Sequence, residues 1–146
     1  MNKKYTSIFK EKIYEVSALI CDDVRAEINI KRTFVGVYPN VFISNRKKIT
    51  IKELKLVVFI GFYTKKVPNN FKIFFSHSGR KDEAFSTQNM RERISHTEHG
   101  GDVSCSRIII SCPIMTIEKD TDLVVSIGID NDEFEVSRST IKLINT

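Results

Sequence analysis

The sequence predicts an all-β fold: a single β-sandwich, Greek-key and either immunoglobulin-like or C2-like, with seven or eight antiparallel strands and one or two short helices. Three observations predict it. Apolar residues alternate with polar ones over short runs, as in Leu54, Leu56, Val58, Ile60 and Phe62. Turn formers such as Pro39-Asn40, Pro68-Asn69-Asn70 and Asp130-Asn131-Asp132 separate those runs. Helical patterns do not alternate with the strands, which argues against a parallel α/β fold. A closed barrel is the alternative within the class. With 146 residues, 41% of them hydrophobic, the chain suits one domain over 1–146. That length buries roughly 70% of the unfolded surface, enough for a core without disulfides or metal.

Each segment has its own reason. Tyr5, Ile8, Phe9, Ile13 and Val16 fall near helical spacing, so residues 1–14 read as a short helix or flexible arm. Val16-Ser-Ala-Leu-Ile-Cys21 reads as a strand stopped by Asp22-Asp23. Thr33-Phe-Val-Gly-Val-Tyr38 is β-branched and aromatic, and Val41-Phe-Ile43 follows before the basic loop Arg46-Lys47-Lys48. Residues 54–63 are apolar on both faces, which marks a central strand. Phe71-Lys-Ile-Phe-Phe75 is another strand, with the polar loop Ser76-His77-Ser78-Gly79-Arg80-Lys81 after it. Residues 82–101 lack alternation and end in Gly100-Gly101, so a long loop or short helix is expected there. Pro113 interrupts residues 107–117 and makes that strand an edge or a bulged one. Leu123, Val125, Ile127 and Ile129 alternate cleanly. Phe134 and Val136 are out of phase with Ile141 and Leu143, which predicts a bulge near Ser137 to Ser139.

Charge is uneven along the chain. Residues 1–93 carry 19 Lys and Arg against 9 Asp and Glu, whereas residues 94–146 carry 4 against 9. The basic set Arg46, Lys47, Lys48, Lys65, Lys66, Arg80 and Lys81 is the candidate surface for a nucleic acid or other polyanion, the alternative function. Arg91, Arg93, His96 and His99, in the predicted loop, are the candidate contact residues for a protein partner.

Motifs for chemistry fail on spacing. His96-Thr97-Glu98-His99 sets its histidines three apart, where the zinc-protease helix needs four and a glutamate beside the first. Residues 76–81 contain neither a nucleophile elbow nor a phosphate-binding loop. Asp120 and Asp122 would lie on the order of 20 Å from Asp130 and Asp132 if a strand joins them, too far to share a calcium ion. No catalytic residue, metal site or cofactor is assigned. Cys21, Cys105 and Cys112 are odd in number and lie in or beside apolar runs, which fits free thiols and a cytoplasmic, reducing compartment. No apolar run approaches the roughly 20 residues of a membrane span.

The segment Leu19-Ile20-Cys21-Asp22-Asp23-Val24-Arg25 with Glu27, then Lys31 and Gly36-Val37-Tyr38, resembles a family of small bacterial or phage β-sandwich domains of unknown function. The final hairpin around Asp130-Asn131-Asp132 is also similar. The resemblance implies the sandwich and supplies no activity. Asp22, Asp23, Arg25 and Glu27 form a candidate charged corner, with Lys31 within reach after a turn. The resulting expectation is a basic, non-enzymatic protein-interaction or self-associating module. It would bind a protein partner or a second copy through a strand edge, the Pro113 strand and the C-terminal strand being the candidate edges.

Overall fold

The computed structural model describes residues 11–28, 31–90 and 103–144, where eleven strands form three sheets. In chain order they are β1 (Ile13–Ala26), β2 (Arg32–Val37), β3 (Val41–Ser44), β4 (Ile49–Ile51), β5 (Leu54–Tyr63), β6 (Phe71–His77), β7 (Arg80–Thr87), β8 (Val103–Cys112), β9 (Met115–Ile117), β10 (Thr121–Ile129) and β11 (Asp132–Leu143). The first sheet has the order β2-β1-β5-β8, the second β3-β11-β10-β6-β7, and β4 with β9 makes a separate ribbon. All pairings are antiparallel except β3 with β11, which is parallel. The fold is an all-β sandwich.

Alternation builds its core. Leu54, Leu56, Val58, Ile60 and Phe62 of β5 share one face and are at most 1% exposed. They join Phe71, Ile73 and Phe75 of β6 and Leu123, Val125, Ile127 and Ile129 of β10 in one apolar cluster. Each such side chain contributes about 1.5–3 kcal/mol when fully buried. Phe62 meets Phe71 at right angles, 6.1 Å between ring centres, and so ties the first sheet to the second. The other face of β5 is covered too, because Val57 is fully buried and Phe59 meets Phe34 of β2 at 5.9 Å.

Turn chemistry fixes the register. Ser78 and Gly79, with φ of 49° and 74°, close the β6–β7 hairpin between His77 and Arg80. Two consecutive positive φ values give the turn whose twist matches the strands. Asp130, φ 55°, opens the β10–β11 turn. The bulge expected in β11 is present slightly earlier than predicted: Val125 faces Ser137 and Ser126 faces Glu135, which leaves Val136 as the extra residue. It lets Phe134 and Ile141 both point into the core despite their odd separation.

Several expectations are corrected. Asp22 and Asp23 lie within β1, which continues to Ala26; the chain reverses after it, where Glu27 N–H bonds to Lys31 O at 2.9 Å. Ile13 and Val16 belong to β1, not to a helix, and residues 1–10 of the expected helix or arm lie outside the described residues. Residues 82–87 form most of β7 rather than a loop. β8 is an edge of the first sheet, as expected of the Pro113 strand, but Pro113 ends it instead of bulging it, and the chain resumes in β9 against β4. The C-terminal strand β11 is no simple edge, since β3 flanks it over Thr140–Leu143. The short 3-10 helix Thr64–Lys66 follows β5. Among the described residues no helix is long and apolar enough to cross a membrane.

Candidate functional site

Two places combine exposure with unusual chemistry. The first is β3. Its β-branched and aromatic residues favour an extended chain after Pro39-Asn40. Thr140 N–H bonds to Asn40 O and Ile144 N–H to Ser44 O, both at 2.8 Å. Backbone groups alternate sides along a strand. The even-numbered residues of β3 therefore bond to β11, and the N–H and C=O groups of Val41 and Ile43 point away from the sheet. β3 ends the sheet, so among the described residues these groups have no strand partner. The side chains of Val41, Phe42 and Ile43 are 49%, 37% and 59% exposed, with Val37 and Ile144 also exposed nearby.

Two of the other outer strands are guarded differently, while β8, the outer strand of the first sheet opposite β2, carries Arg107 as its one charge and stops at Pro113. β7 carries Arg80, Lys81, Asp82 and Glu83 in succession, and its pairing shifts between Ile73 and Phe74 of β6. β2 is kinked at Gly36, φ 64°. Charges, bulges and kinks are the usual means of keeping an edge from pairing. β3 has only its shortness.

Beside β3 lies a hollow of about 500 Å³ whose lining includes Asp22, Tyr38, Phe42, Arg46, Lys52 and Glu53. Tyr38 and Phe42 lie 6.0 Å apart at 31°. A Cβ on Gly36 would overlap the Asp22 carboxylate, so glycine is what lets Asp22 sit there. Asp22 is also bonded to the Tyr38 phenol, whose pKa is pushed up to about 12, first by burial and then by the Asp22 charge. The resemblance-bearing residues Asp22, Gly36 and Tyr38 thus meet at one point.

The remaining corner residues divide. Asp23 accepts from Val24 N–H at 2.8 Å and pairs with Arg25 at 3.6 Å. Glu27 accepts from Thr33 Oγ1 at 2.9 Å rather than pairing with Lys31. This is a local brace for the β1–β2 hairpin.

The predicted basic surface is not gathered. Arg46, Lys47 and Lys48 precede β5, while Lys65 and Lys66 follow it, on the order of 30 Å away at about 3.3 Å per residue. Lys48 pairs with Glu118 at 3.3 Å and Arg80 with Asp82 at 3.5 Å. Lys81 is paired with Glu133 and lies 4.7 Å above the Phe74 ring. Arg46 and Lys47 have no ion pair among the described residues. The predicted contact residues Arg91, Arg93, His96 and His99 lie outside the described residues.

The acidic set is engaged elsewhere. Asp122 holds Arg138 and Thr140, Asp120 accepts from Leu143 N–H, and Asp130 pairs with Lys12. Among the described residues no group of three or more His, Cys, Asp or Glu is placed to hold a metal.

The second place is a cleft of about 540 Å³ where the β6–β7 hairpin faces the β8–β9 connection. Phe75, Ala84, Ile110 and Met115 supply apolar walls, and His77, Asp82 and Cys112 reach it. Sequence reasoning missed it, because His77 and Cys112 converge only through the sheet order. The Cys112 pKa is pushed up to about 11 by burial, against the pull of Lys55 and with a further push from Asp82. The thiol therefore stays protonated at neutral pH. Alkylation of Cys112 by iodoacetamide, followed by mass spectrometry, should be slow at pH 8 and accelerate only as pH approaches 11. Rapid labelling at pH 7.5 would contradict this.

No family model, curated protein or solved structure matches the chain.

Proposed function

We propose that the domain is a non-catalytic protein-interaction module that adds an extended segment of a partner protein to the free edge of β3. The observation that carries this is the coincidence on Val41 and Ile43 of outward-pointing backbone groups and exposed apolar side chains. Strand addition draws affinity from main-chain hydrogen bonds and specificity from pockets beside the edge. β3 is only four residues long. Its few backbone groups make side-chain contacts in the Tyr38–Phe42 hollow correspondingly important.

Charge selects the partner. Arg46 and Lys47 follow β3 directly and lack ion pairs among the described residues, and Lys52 lines the hollow. An extended apolar segment ending in acidic residues complements that edge. A second copy complements it less well, because both copies carry a net charge of +5.

The test uses a short probe peptide alternating valine and threonine between terminal glutamates. Binding to the full chain is expected, with weaker binding of the lysine-ended counterpart. The double variant Val41→Lys, Ile43→Lys should abolish binding while changing stability by only about 0.5 kcal/mol, as exposed substitutions do. Equal binding by that variant would overturn the reading. Concentration-dependent dimerisation lost in the same variant would favour self-association instead, and retention on DNA that falls steeply with salt would favour the polyanion alternative.

A further inference from the structure

We propose, independently of the β3 edge, that β8 is the contact between two copies of the chain, paired antiparallel about a twofold axis at Ile109 so that their first sheets join edge to edge. β8 ends the first sheet, and among the described residues no strand lies beyond it. Ile20 O accepts from Tyr38 N–H on the β2 side, and Tyr63 N–H bonds to Lys12 O on the β1 side. Backbone groups alternate sides along a strand. The odd-numbered residues of β1 and β5, which stand opposite one another, therefore bond together, and the even-numbered residues of β5 turn to the even-numbered residues of β8. The N–H and C=O groups of Val103, Cys105, Arg107, Ile109 and Ser111 are left pointing away from the sheet. Arg107 is the single charge on this edge, and its pairing with β5 shows no shift from Leu54–Cys112 to Tyr63–Val103. A long, regular, nearly uncharged edge is a template for another strand.

The hollows beside the edge say what that strand carries. One of about 190 Å³ has Phe85, Met90 and Ile108 in its lining. The cleft of about 540 Å³ has Ala84, Ile110 and Met115 in its own. An added strand fills both with apolar side chains two residues apart, which share a face. β8 itself has that pattern in Ile108 and Ile110. Pairing about Ile109 sets the second copy's Ile110 opposite Ile108 and its Ile108 opposite Ile110, one for each hollow. On the outer face Ile109, 38% exposed, meets its equivalent, and Arg107 stands opposite Ser111. Pairing about Arg107 would instead oppose two guanidinium groups. Cys105 falls opposite Pro113, which has no N–H, so the ladder stops there. The cations at the contact are Arg107 and the Lys55 bonded to Ser111. Salt screens their repulsion, and that of the net +5 on each copy, beyond about 8 Å at physiological ionic strength. Association should therefore strengthen as salt rises.

Sedimentation of the full chain over a range of concentrations tests the proposal, and a dimer that grows with concentration and with salt is expected. Ile109→Lys sets two ammonium groups face to face at the axis and should abolish it. The Val41→Lys, Ile43→Lys variant should dimerise as the unaltered chain does, which keeps this result separate from that at β3. Directly opposed, hydrogen-bonded residues lie about 5.5 Å apart at Cα, within disulfide reach. Air oxidation of Ile109→Cys should therefore yield a dimer linked between the two introduced thiols, located by mass spectrometry, and this result stands whether or not Ile109→Lys folds. A monomer at every concentration, a dimer that survives Ile109→Lys, or one that links through Cys105 instead would overturn the proposal.

Discussion

Replacing Phe62 with alanine is expected to destabilise the domain by about 3–5 kcal/mol, the range for removing a buried aromatic ring. Phe62 and Phe71 are both 0% exposed and meet edge-on between the two sheets. Phe71 in turn meets Phe85 of β7 at 6.4 Å. A cavity at Phe62 would therefore loosen a chain of rings running from β5 through β6 to the outer strand. Since whole domains hold only about 5–15 kcal/mol, this single change would consume much of the stability. Tyr63→Ala, one residue on and 36% exposed, is the matched comparison and should cost far less. Urea unfolding of the two variants checks this; similar midpoints would show that the Phe62 contact is not central.

Gly36→Ala should be the most damaging small substitution near the surface, at about 2–3 kcal/mol. A non-glycine residue held at positive φ costs about 1–2 kcal/mol, and Gly36 has φ 64°. The added methyl also collides with Asp22, which must leave Tyr38. One lost hydrogen bond adds about 1 kcal/mol. Removing Asp22 as well, in Asp22→Ala with Gly36→Ala, relieves the collision, so the two costs should not add. A strictly additive pair, measured by thermal unfolding, would contradict the contact.

The same contact gives a pH signature. Tyr38 titrates near 12 in the folded chain against 10 for an ordinary tyrosine. The folded state keeps a proton that the unfolded state releases. Its contribution is present below about pH 10, then declines as pH rises toward 12. In Asp22→Asn the Tyr38 pKa, followed by ultraviolet titration, should fall part of the way. Burial is the larger cause, so it should remain above 10.

What was legible in the sequence is what local physics controls. The central strand showed itself because both faces of residues 54–63 are apolar, and the β10–β11 turn because Asp130-Asn131 suits the backbone that tight turns need. The β11 bulge followed from a parity break alone. Misreadings arose where tertiary context overrides pattern. The pairing of β1 with β5 shifts between Ile13 and Glu15, which breaks the twofold period at its start and left a helix-like spacing. Asp22 and Asp23 looked like a stop because β1 continues there past β5 with only β2 as its partner. β7 hid as a loop because an edge strand is charged. The candidate site was less legible still. Val41-Phe-Ile43 read as a strand, but its position at the rim follows from parallel pairing with Thr140–Leu143 about a hundred residues later, which no local pattern encodes. The meeting of Asp22, Gly36 and Tyr38 was not legible at all, because it depends on the register of β1 against β2.

Amide hydrogen exchange along β3 tests the strand-addition account most directly, in the full chain with and without the glutamate-ended probe peptide. In the free protein the Val41 and Ile43 amides should exchange fast while those of Phe42 and Ser44, bonded toward β11, exchange slowly; the probe should then protect Val41 and Ile43. Protection of Val41 and Ile43 already in the free chain, or no gain in protection when the peptide binds, would contradict the account.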